Sequence, residues 1–305
     1  MRHDLVVIGA GSGNAVIDDS FAGLDVAIVE ERWFGGTCLN AGCIPSKMLA
    51  YTAHVARTVG EAGHYDVDAV PGAVRWREMR DRVFGRLDAE REQGRRGRLD
   101  EDSVTVYEAR ARFTGPRTLR IDRAEGALEV SADQIVIAVG GRPLVPGPVT
   151  DSGLPYETSD TVMRIDAPPR RLTILGGGYI AVELAEVFAA AGSSVTVVEK
   201  EDRLLGPLEE TITERFTELA ASRHDLRLGR EHTAVGGRPG ALRLTLDDGS
   251  TVGADMLLVA EGRVPNSGRA VPATATSPTA GRWRTPPASA RCSPSPAPGS
   301  SSEPT

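Results

Sequence analysis

Two cysteines five positions apart are the side chains in this sequence best suited to covalent chemistry. Cys38 and Cys43 lie in the segment GTCLNAGCIPSK at residues 36–47, whereas the remaining cysteine, Cys292, stands far along the chain. A pair this close can alternate between dithiol and disulfide when a helix N-terminus lowers the pKa of one thiol. The continuation PSKMLA predicts such a helix. The pattern therefore indicates redox chemistry.

The same spacing is compatible with half of a zinc site or with a structural disulfide. A zinc site would need a second pair of Cys or His ligands, usually at short spacing. The 5 histidines of the chain are scattered, and Cys292 is isolated. We therefore predict no metal site, while the structural disulfide stays open at this point.

Composition indicates a soluble globular chain with an acidic balance. The sequence has 305 residues, 40% of them hydrophobic and 25% charged, which suffices for two domains of ordinary size. The net charge of −7 argues against a nucleic-acid partner, and no apolar run approaches a membrane span. An apolar strand begins within the first few residues, which leaves no room for a signal peptide. With few cysteines, we expect a cytoplasmic protein.

The N-terminal region has the order of a dinucleotide-binding βαβ unit. An apolar run at residues 4–8 leads into GAGSGN at 9–14, which is followed by a helix-like stretch at 15–22. A second apolar run at 25–29 ends on Glu30. Strand, glycines, helix, strand and acid in this register predict a nucleotide site.

Each residue of this glycine turn has an expected role. Gly9 makes the tight turn, and Gly11 lets the backbone approach a pyrophosphate. Gly13 and Asn14 complete the turn, with Asn14 standing where the fingerprint has its third glycine, so we expect looser packing of helix on strand. Glu30 is placed to accept hydrogen bonds from ribose hydroxyls.

The same pattern returns in the second half of the chain. An apolar run at 171–175 is followed by GGGYIA at 176–181, a predicted helix over 182–190, a strand at 194–198 and then Glu199. Two fingerprints predict two nucleotide sites, and with a cysteine pair after the first the economical assignment is FAD first and a nicotinamide dinucleotide second. The sequence thus predicts an α/β fold with two Rossmann-like dinucleotide-binding domains.

The region between the fingerprints mixes helices and strands. Residues 48–100 read as helical and charged, and we expect the arginine-rich stretch at 91–98 to be a solvated helix end. Residues 134–139 read as a buried parallel strand. Three shorter runs alternate like antiparallel strands: 104–107, 110–113 and 118–121.

At this point a family resemblance becomes specific. The stretch GGTCLNAGCIPSK at 35–47 resembles the redox-active disulfide segment of the class I flavoprotein disulfide reductases, and GGRP at 140–143 and AEGRVPN at 260–266 resemble two further segments of that family. The resemblance covers residues 1 to about 266. It implies a three-layer ββα type of FAD/NAD(P)-binding fold, a homodimer, and electron transfer from NADPH or NADH through FAD to the cysteine pair and a small-molecule disulfide.

The resemblance also implies roles for single residues. Cys38 would attack the substrate, Cys43 would face the flavin, Lys47 would stand near the flavin with Glu183 as its carboxylate partner, and Tyr179 would be a lid over the nicotinamide face. Further residues assigned to cofactor binding by the resemblance or the fingerprints are Gly36, Thr37, Gly140, Arg142, Gly176, Gly178, Ile180, Glu199, Gly262 and Arg263.

The nicotinamide cofactor and the substrate are less sharply indicated. Glu199 favours an unmodified ribose and NADH, while Lys200 and Arg203 offer positive charge nearby, so we expect both cofactors to be accepted. Three stretches, at 11–14, 74–88 and 156–164, resemble the mycothione reductases within the family. A dihydrolipoamide dehydrogenase-like sibling and a catalytically incomplete nucleotide-binding fragment stay open as alternatives.

The last part of the chain departs from the family. We expect an FAD-binding domain with the redox disulfide at 1–147, an NAD(P)H-binding domain at 148–267, and an aberrant, disordered tail at 268–305. That tail holds 8 of the 20 prolines and no Leu, Ile or Phe, so it cannot bury enough apolar surface to fold. We expect it to be an out-of-frame translation that replaces the family's C-terminal interface domain. We therefore expect this chain alone to hold little FAD and to reduce no disulfide at a useful rate.

Overall fold

The computed structural model describes residues 1–70 and 72–270. Cys292 and the predicted tail beyond residue 270 lie outside the described residues. The strands are β1 (Arg2–Ile8), β2 (Val26–Val29), β3 (Val104–Tyr107), β4 (Arg110–Gly115), β5 (Thr118–Arg123), β6 (Gly126–Ile137), β7 (Gly141–Pro143), β8 (Glu157–Thr158), β9 (Arg171–Leu175), β10 (Ser194–Glu199), β11 (Asp225–Leu228), β12 (His232–Arg238), β13 (Ala241–Leu246), β14 (Thr251–Ala254), β15 (Met256–Val259) and β16 (Arg263–Pro265).

Helices connect some of these strands. The α-helices are α1 (Gly36–Ala41), α2 (Cys43–Gly60), α3 (Trp76–Leu99), α4 (Gly147–Asp151), α5 (Tyr179–Ala190), α6 (Glu210–Ala221) and α7 (Ser267–Ala270), and short 3-10 turns occur at Ser12–Val16, Asp19–Phe21, Ala62–Tyr65 and Val162–Arg164. Within the described residues, no helix is both long enough and apolar enough to cross a membrane.

The first sheet combines parallel and antiparallel pairing. Its strand order is β3-β2-β1-β6-β5-β4, with parallel pairs from β3 to β6 and antiparallel pairs among β4, β5 and β6. Strand β6 is 12 residues long, so it belongs to both parts of the sheet. All four residues of β2 are buried, as expected for a parallel strand covered on both faces.

The second sheet repeats this plan. It is parallel throughout, in the order β11-β10-β9-β15-β8, and the antiparallel strands β12, β13 and β14 contribute apolar side chains to a core shared with β9, β10 and β15. The α/β fold class predicted from the sequence is therefore confirmed.

Helices α2 and α3 share one hydrophobic core with the second sheet. Leu49 and Val83 are buried in a cluster that also contains Ile174 of β9. The ring of Trp76 stacks on that of Phe188, with a centroid distance of 5.0 Å. The helix that begins at Cys43 is thus fixed against the second sheet.

The helix predicted over residues 15–22 is wrong. The structure has two 3-10 turns there, Ser12–Val16 and Asp19–Phe21. The side chain of Arg98 replaces the missing helical turns: its Nε donates to Asn14 Oδ1 at 2.9 Å, and its Nη2 donates to the carbonyl oxygens of Asn14 and Ile17, each at 3.1 Å. Backbone carbonyls that a longer helix would satisfy find their donors on another element.

The same contact corrects the expectation of a solvated helix end at 91–98. The Arg98 side chain is only 16% exposed and also pairs with Glu101 at 2.9 Å. Arg96, in contrast, is 71% exposed and pairs with Glu92 along its own helix. Within the arginine-rich stretch, Arg98 is therefore a largely buried structural residue, whereas Arg96 is solvated.

The expectation of an antiparallel strand at 104–107 is also wrong. Strand β3 pairs in parallel with β2, Val26 opposite Val104. The chain runs from β2 through α2 and α3 to β3. A helical crossover of this kind connects parallel strands, so β3 runs in the same direction as β2. Strands β4 and β5 are antiparallel as predicted.

We expect Arg98→Ala to lower the free energy of unfolding by about 2–3 kcal/mol, because it removes the donor of the part-buried Ile17 carbonyl oxygen and of the Asn14 side-chain oxygen. Urea denaturation followed by circular dichroism measures the loss. Arg96→Ala is the matched control and should cost no more than about 0.5 kcal/mol, since it removes one exposed ion pair. Equal losses in the two variants would contradict the capping role of Arg98.

Candidate functional site

A cavity of ≈ 650 Å³ lies at the carboxyl ends of β1, β2 and β6. This is the end of a parallel sheet at which ligands bind in open α/β folds. Of the site residues predicted from the sequence, those that line the cavity are Gly9, Gly11, Gly13, Glu30, Gly36, Thr37, Cys38, Cys43, Lys47, Gly140, Tyr179, Ile180, Glu183 and Arg263. Those outside its wall are Asn14, Arg142, Gly176, Gly178, Glu199 and Gly262.

The first glycine turn is in direct backbone contact with the cysteine segment. Gly9 has φ +111°, and a Cβ added there would lie 2.3 Å from the carbonyl oxygen of Ala138. Gly36, with φ +56°, faces Gly11: a Cβ on Gly36 would lie 2.6 Å from the Cα of Gly11. No side chain fits between these backbones, so the turn after β1 sets the position at which α1 begins.

The Glu30 carboxylate holds the first turn together. Its Oε2 accepts a hydrogen bond from the Ala10 N–H at 2.7 Å. Its Oε1 accepts from the N–H groups of Arg32 at 2.7 Å and Trp33 at 3.1 Å. A carboxylate oxygen has two lone pairs, so these contacts leave capacity for a ribose hydroxyl, and that role of Glu30 stays a prediction.

The two cysteines lie on consecutive helices. Cys38 is in α1, and Cys43 is the first residue of α2; between them Gly42 turns the chain with φ −141° and ψ −126°. A Cβ on Gly42 would lie 2.9 Å from the carbonyl oxygen of Thr37. Both residues are free thiols, Cys38 half-buried and Cys43 exposed. The predicted helix N-terminus at the cysteine pair is present.

The Cys38 thiol holds its proton more tightly than an ordinary cysteine. A hydrogen bond with the Cys43 side chain, then burial, then the charge of Cys43 raise the pKa of the Cys38 thiol above its ordinary value. The backbone N–H groups of Cys43 and Ile44, at the N-terminus of α2, act in the opposite direction but are outweighed.

Lys47 and Glu183 meet across the two halves of the molecule. The Lys47 ammonium on α2 forms an ion pair with Glu183 Oε1 on α5. The buried Ser46 hydroxyl donates to Glu183 Oε2 at 3.0 Å, a contact that the sequence did not indicate. The predicted pairing of Lys47 with Glu183 is thus present, one helical turn from Cys43.

The second glycine turn is built like the first. Gly176 has φ +98°, and a Cβ there would lie 2.6 Å from the carbonyl oxygen of Ala260. The Glu199 carboxylate accepts from the N–H of Gly177 and, at 2.9 Å, from that of Glu201, which parallels Glu30 at Ala10. A Cβ on Gly178 would meet nothing within 4 Å, so open space remains at the N-terminus of α5.

Helix α5 begins at Tyr179, three residues before the predicted start. Gly178 is its N-cap residue in extended conformation, and the glycine turn leads directly into the helix. Tyr179 is 65% exposed and lines the cavity. It therefore lies both at the second glycine turn and at the wall of the first site.

Two of the segments that carry the family resemblance pair with each other. Strands β7 and β16 are antiparallel, with Arg142 opposite Val264. The Asn266 side chain donates to the carbonyl oxygen of Val139 at 2.9 Å, and Arg263 Nη2 donates to that of Gly141 at 2.7 Å. The segments at 140–143 and 260–266 therefore form one wall of the cavity.

Asp160 pairs with two arginines of the cavity lining, a role that the sequence did not indicate. Its side chain is 8% exposed and pairs with Arg32 at 2.9 Å and Arg263 at 3.2 Å. Arg32 in turn lies over the ring of Trp33, 3.6 Å from its centroid. The stretch at 156–164 is distinctive in the sequence only for its family resemblance, and nothing local identifies these two arginine partners.

Among residues 1–70 and 72–270, no three His, Cys, Asp or Glu side chains are grouped so as to hold a metal ion.

Comparisons with known proteins agree with this geometry. The family model described as pyridine nucleotide-disulphide oxidoreductase matches residues 3–282. A mycothione reductase of Mycobacterium tuberculosis (strain CDC 1551 / Oshkosh) is 44% identical over 270 residues, covering 87% of this chain and 58% of the relative. A glutathione reductase of Burkholderia cepacia is 36% identical over 271 residues, with 87% and 58% covered.

A solved structure is similar over the same region. The copper(II) complex of the HOCl-induced flavoprotein disulfide reductase RclA from Escherichia coli gives a TM-score of 0.76 at 27% identity, covering 88% of this chain and 58% of that one. The chain thus spans less than two thirds of the length of these relatives.

We expect Cys43→Ala to lower the pH at which Cys38 is alkylated, because the variant removes the hydrogen bond and charge that raise the Cys38 pKa and retains the N–H groups that lower it. The rate of iodoacetamide labelling against pH, read by mass spectrometry in a Cys292→Ser background, measures this shift. Met48→Leu on the same helix is the control and should leave the midpoint unchanged. A midpoint that stays or rises in Cys43→Ala would contradict the role of Cys43 in raising the Cys38 pKa.

Proposed function

The chain belongs to the pyridine nucleotide-disulphide oxidoreductase family, and we propose that it passes electrons from NADH or NADPH through FAD to a Cys38–Cys43 disulfide and on to a low-molecular-weight disulfide. The observation that carries the proposal is the placement of both cysteines in the wall of a cavity that begins at a glycine turn. A structural disulfide has no need of such a cavity, whereas a redox pair must reach a cofactor.

The residues of the cavity fit FAD. Its volume of ≈ 650 Å³ lies in the range of ligand sites, about 300–1,000 Å³. The bare backbone at Gly11 admits a pyrophosphate, Glu30 is placed for a ribose hydroxyl, and the Lys47–Glu183 pair stands where the reactive ring would lie beside Cys43. When bound, FAD supplies two-electron transfer between a hydride donor and a thiol pair.

The cysteines then act by thiol–disulfide exchange. The Cys38 thiolate attacks one sulfur of the substrate disulfide, a Cys38–substrate bond forms, and the other substrate sulfur leaves and takes a proton. Cys43 next attacks the Cys38 sulfur, which restores the Cys38–Cys43 disulfide and releases the second thiol. Loss of the Cys38 proton to a base must precede the attack, since the thiolate is the nucleophile.

The second glycine turn supports nicotinamide binding. The open space at Gly178 lies at a helix N-terminus, where a pyrophosphate is favoured. Tyr179, exposed between this turn and the cavity, is placed to act as the lid between dinucleotide and flavin. Arg203 already pairs with Glu210 at 2.9 Å, so its charge is offset, and we infer a preference for NADH.

We propose mycothione disulfide as the substrate and the cytoplasm as the compartment. The substrate is supported by the 44% identity to a mycothione reductase over 87% of this chain. The compartment is supported by the reducing environment that a thiol pair of this kind requires.

The half-reaction of the chain itself provides the test. The 305-residue chain is oxidised, mixed anaerobically with excess FAD and NADH, and alkylated, and the labelled cysteines are counted by mass spectrometry. We expect two new labels, at Cys38 and Cys43, since one hydride and one proton reduce one disulfide to two thiols. Labelling of Cys292 is the internal control and should not depend on NADH. Failure of either label to appear at saturating FAD would contradict the proposed function.

Substrate choice is read from the second half-reaction, in which the reduced cysteines pass their electrons to the substrate disulfide. The reduced chain is mixed with mycothione disulfide, glutathione disulfide or lipoamide, and loss of the two thiols is timed. We expect the fastest loss with mycothione disulfide. Faster loss with lipoamide would assign the chain to the dihydrolipoamide dehydrogenase-like alternative and would leave the electron path intact.

A further inference from the structure

A second carboxylate stands beside Glu199 at the second glycine turn. Glu261 occupies the second position in the segment AEGR at 260–263. A Cβ on Gly176 would lie 3.1 Å from the Glu261 Cα, so the Glu261 backbone closes the same turn that Glu199 holds from the other side. Its side chain is 26% exposed and therefore remains accessible to a ligand.

The Glu261 carboxylate is held in a partly apolar position. His232 Nδ1 lies 3.4 Å from Glu261 Oε1, and the imidazole is 4% exposed. Burial lowers the pKa of His232, which disfavours a positive charge on the ring beside the carboxylate. His232 Nε2 is buried without a hydrogen-bond partner among the described residues. The buried imidazole therefore packs close to the carboxylate and offers it little charge compensation.

The charged groups around Glu261 are mainly other carboxylates. Burial first, then Glu199 from the end of β10 and Glu231 from the residue before β12, raise the pKa of Glu261 to about 7, and Lys200 acts in the opposite direction. Above that pH, the turn carries two adjacent carboxylates, Glu199 and Glu261.

The cationic side chains near the second glycine turn already form ion pairs with carboxylates. Lys200 is 71% exposed and lies 4.0 Å from Glu201, and Arg230 pairs with Asp248 at 2.9 Å. Arg203 is occupied by its ion pair with Glu210. A phosphate on the adenine ribose would have to displace one of these partners and would still lie close to Glu199.

We propose that Glu261 is a second specificity residue of the nicotinamide site, where together with Glu199 it disfavours a ribose 2′-phosphate and so selects NADH over NADPH. This inference rests on the proposed binding of a nicotinamide dinucleotide at the second glycine turn. Glu199 alone would act by its hydrogen bond to the ribose, whereas Glu261 acts by charge, because its carboxylate lies at the same turn and adds to the field of Glu199.

The charge mechanism has a pH dependence of definite sign. The Glu261 carboxyl gains its charge as the pH rises through about 7, so discrimination against NADPH strengthens with rising pH and weakens with falling pH. The 2′-phosphate has its own second ionisation near pH 6, to judge from other phosphate monoesters. That ionisation acts equally on wild type and variant, and the difference between them isolates Glu261.

The test is the ratio of dissociation constants for NADPH and NADH, measured by nicotinamide fluorescence on the full 305-residue chain at pH 6 and pH 8. Glu261→Gln keeps the shape of the side chain and removes its charge. We expect this variant to lower the NADPH/NADH ratio about three- to tenfold at pH 8 and to change it little at pH 6. Glu218→Gln, on exposed α6 with its carboxylate paired to Arg215, makes the same change in net charge and should leave the ratio as in wild type.

The other outcomes overturn the inference in distinguishable ways. An unchanged ratio in Glu261→Gln, with both dinucleotides bound, would show that Glu261 does not select the cofactor. Equal weakening of both would show a structural role only. If Glu261→Gln does not fold by circular dichroism, the smaller Glu261→Ser is expected to give the same lowered ratio, and a ratio at or above the wild-type value would overturn the inference. If wild type binds neither dinucleotide, the proposed function of the second turn itself fails.

Discussion

The contact between the backbones of Gly11 and Gly36 is the constraint on which the rest of the site depends. Any Cβ on Gly36 would come within 2.6 Å of the Gly11 Cα, so the glycine turn and the start of α1 touch at their main chains. A hydrogen bond from the Gly35 N–H to the Ala10 carbonyl oxygen, at 2.9 Å, lies beside it. This contact fixes where α1 begins, and α2 follows α1 directly. It therefore also determines the positions of Cys38 on α1 and of Cys43 and Lys47 on α2.

The two halves of the molecule build their glycine turns in the same way. In each, a glycine with positive φ ends a parallel strand, and a glutamate from the end of the next strand accepts the N–H that the turn leaves unpaired. The halves differ beyond the turn, since the second turn opens directly into α5 and the first continues as 3-10 turns capped by Arg98. The N-terminus of the helix at the second turn offers an axial dipole to a phosphate, while the first turn relies on individual N–H groups.

Local features of the sequence were sufficient to predict the strands that flank each glycine turn, both glycine turns and the cysteine helix, because each depends on residues that are neighbours in the chain. The pairing of Lys47 with Glu183 was foreseen only through family resemblance. The roles of Arg98, Asp160 and Glu261 could not be predicted, since each depends on a partner brought close by tertiary packing. The direction of β3 was missed for a related reason: short alternating runs do not reveal which strand will be their neighbour.

The core shared by α2, α3 and the second sheet has a consequence for biosynthesis. Its members run from Leu49 to Ala260, so the apolar faces of α2 and α3 leave the ribosome long before the strands that cover them. Contacts across so many residues carry a large loop-closure cost and form late. During synthesis, the apolar face of α2 therefore stays uncovered until the strands of the second sheet have been made. In this interval the nascent chain is most prone to aggregate and to bind chaperones.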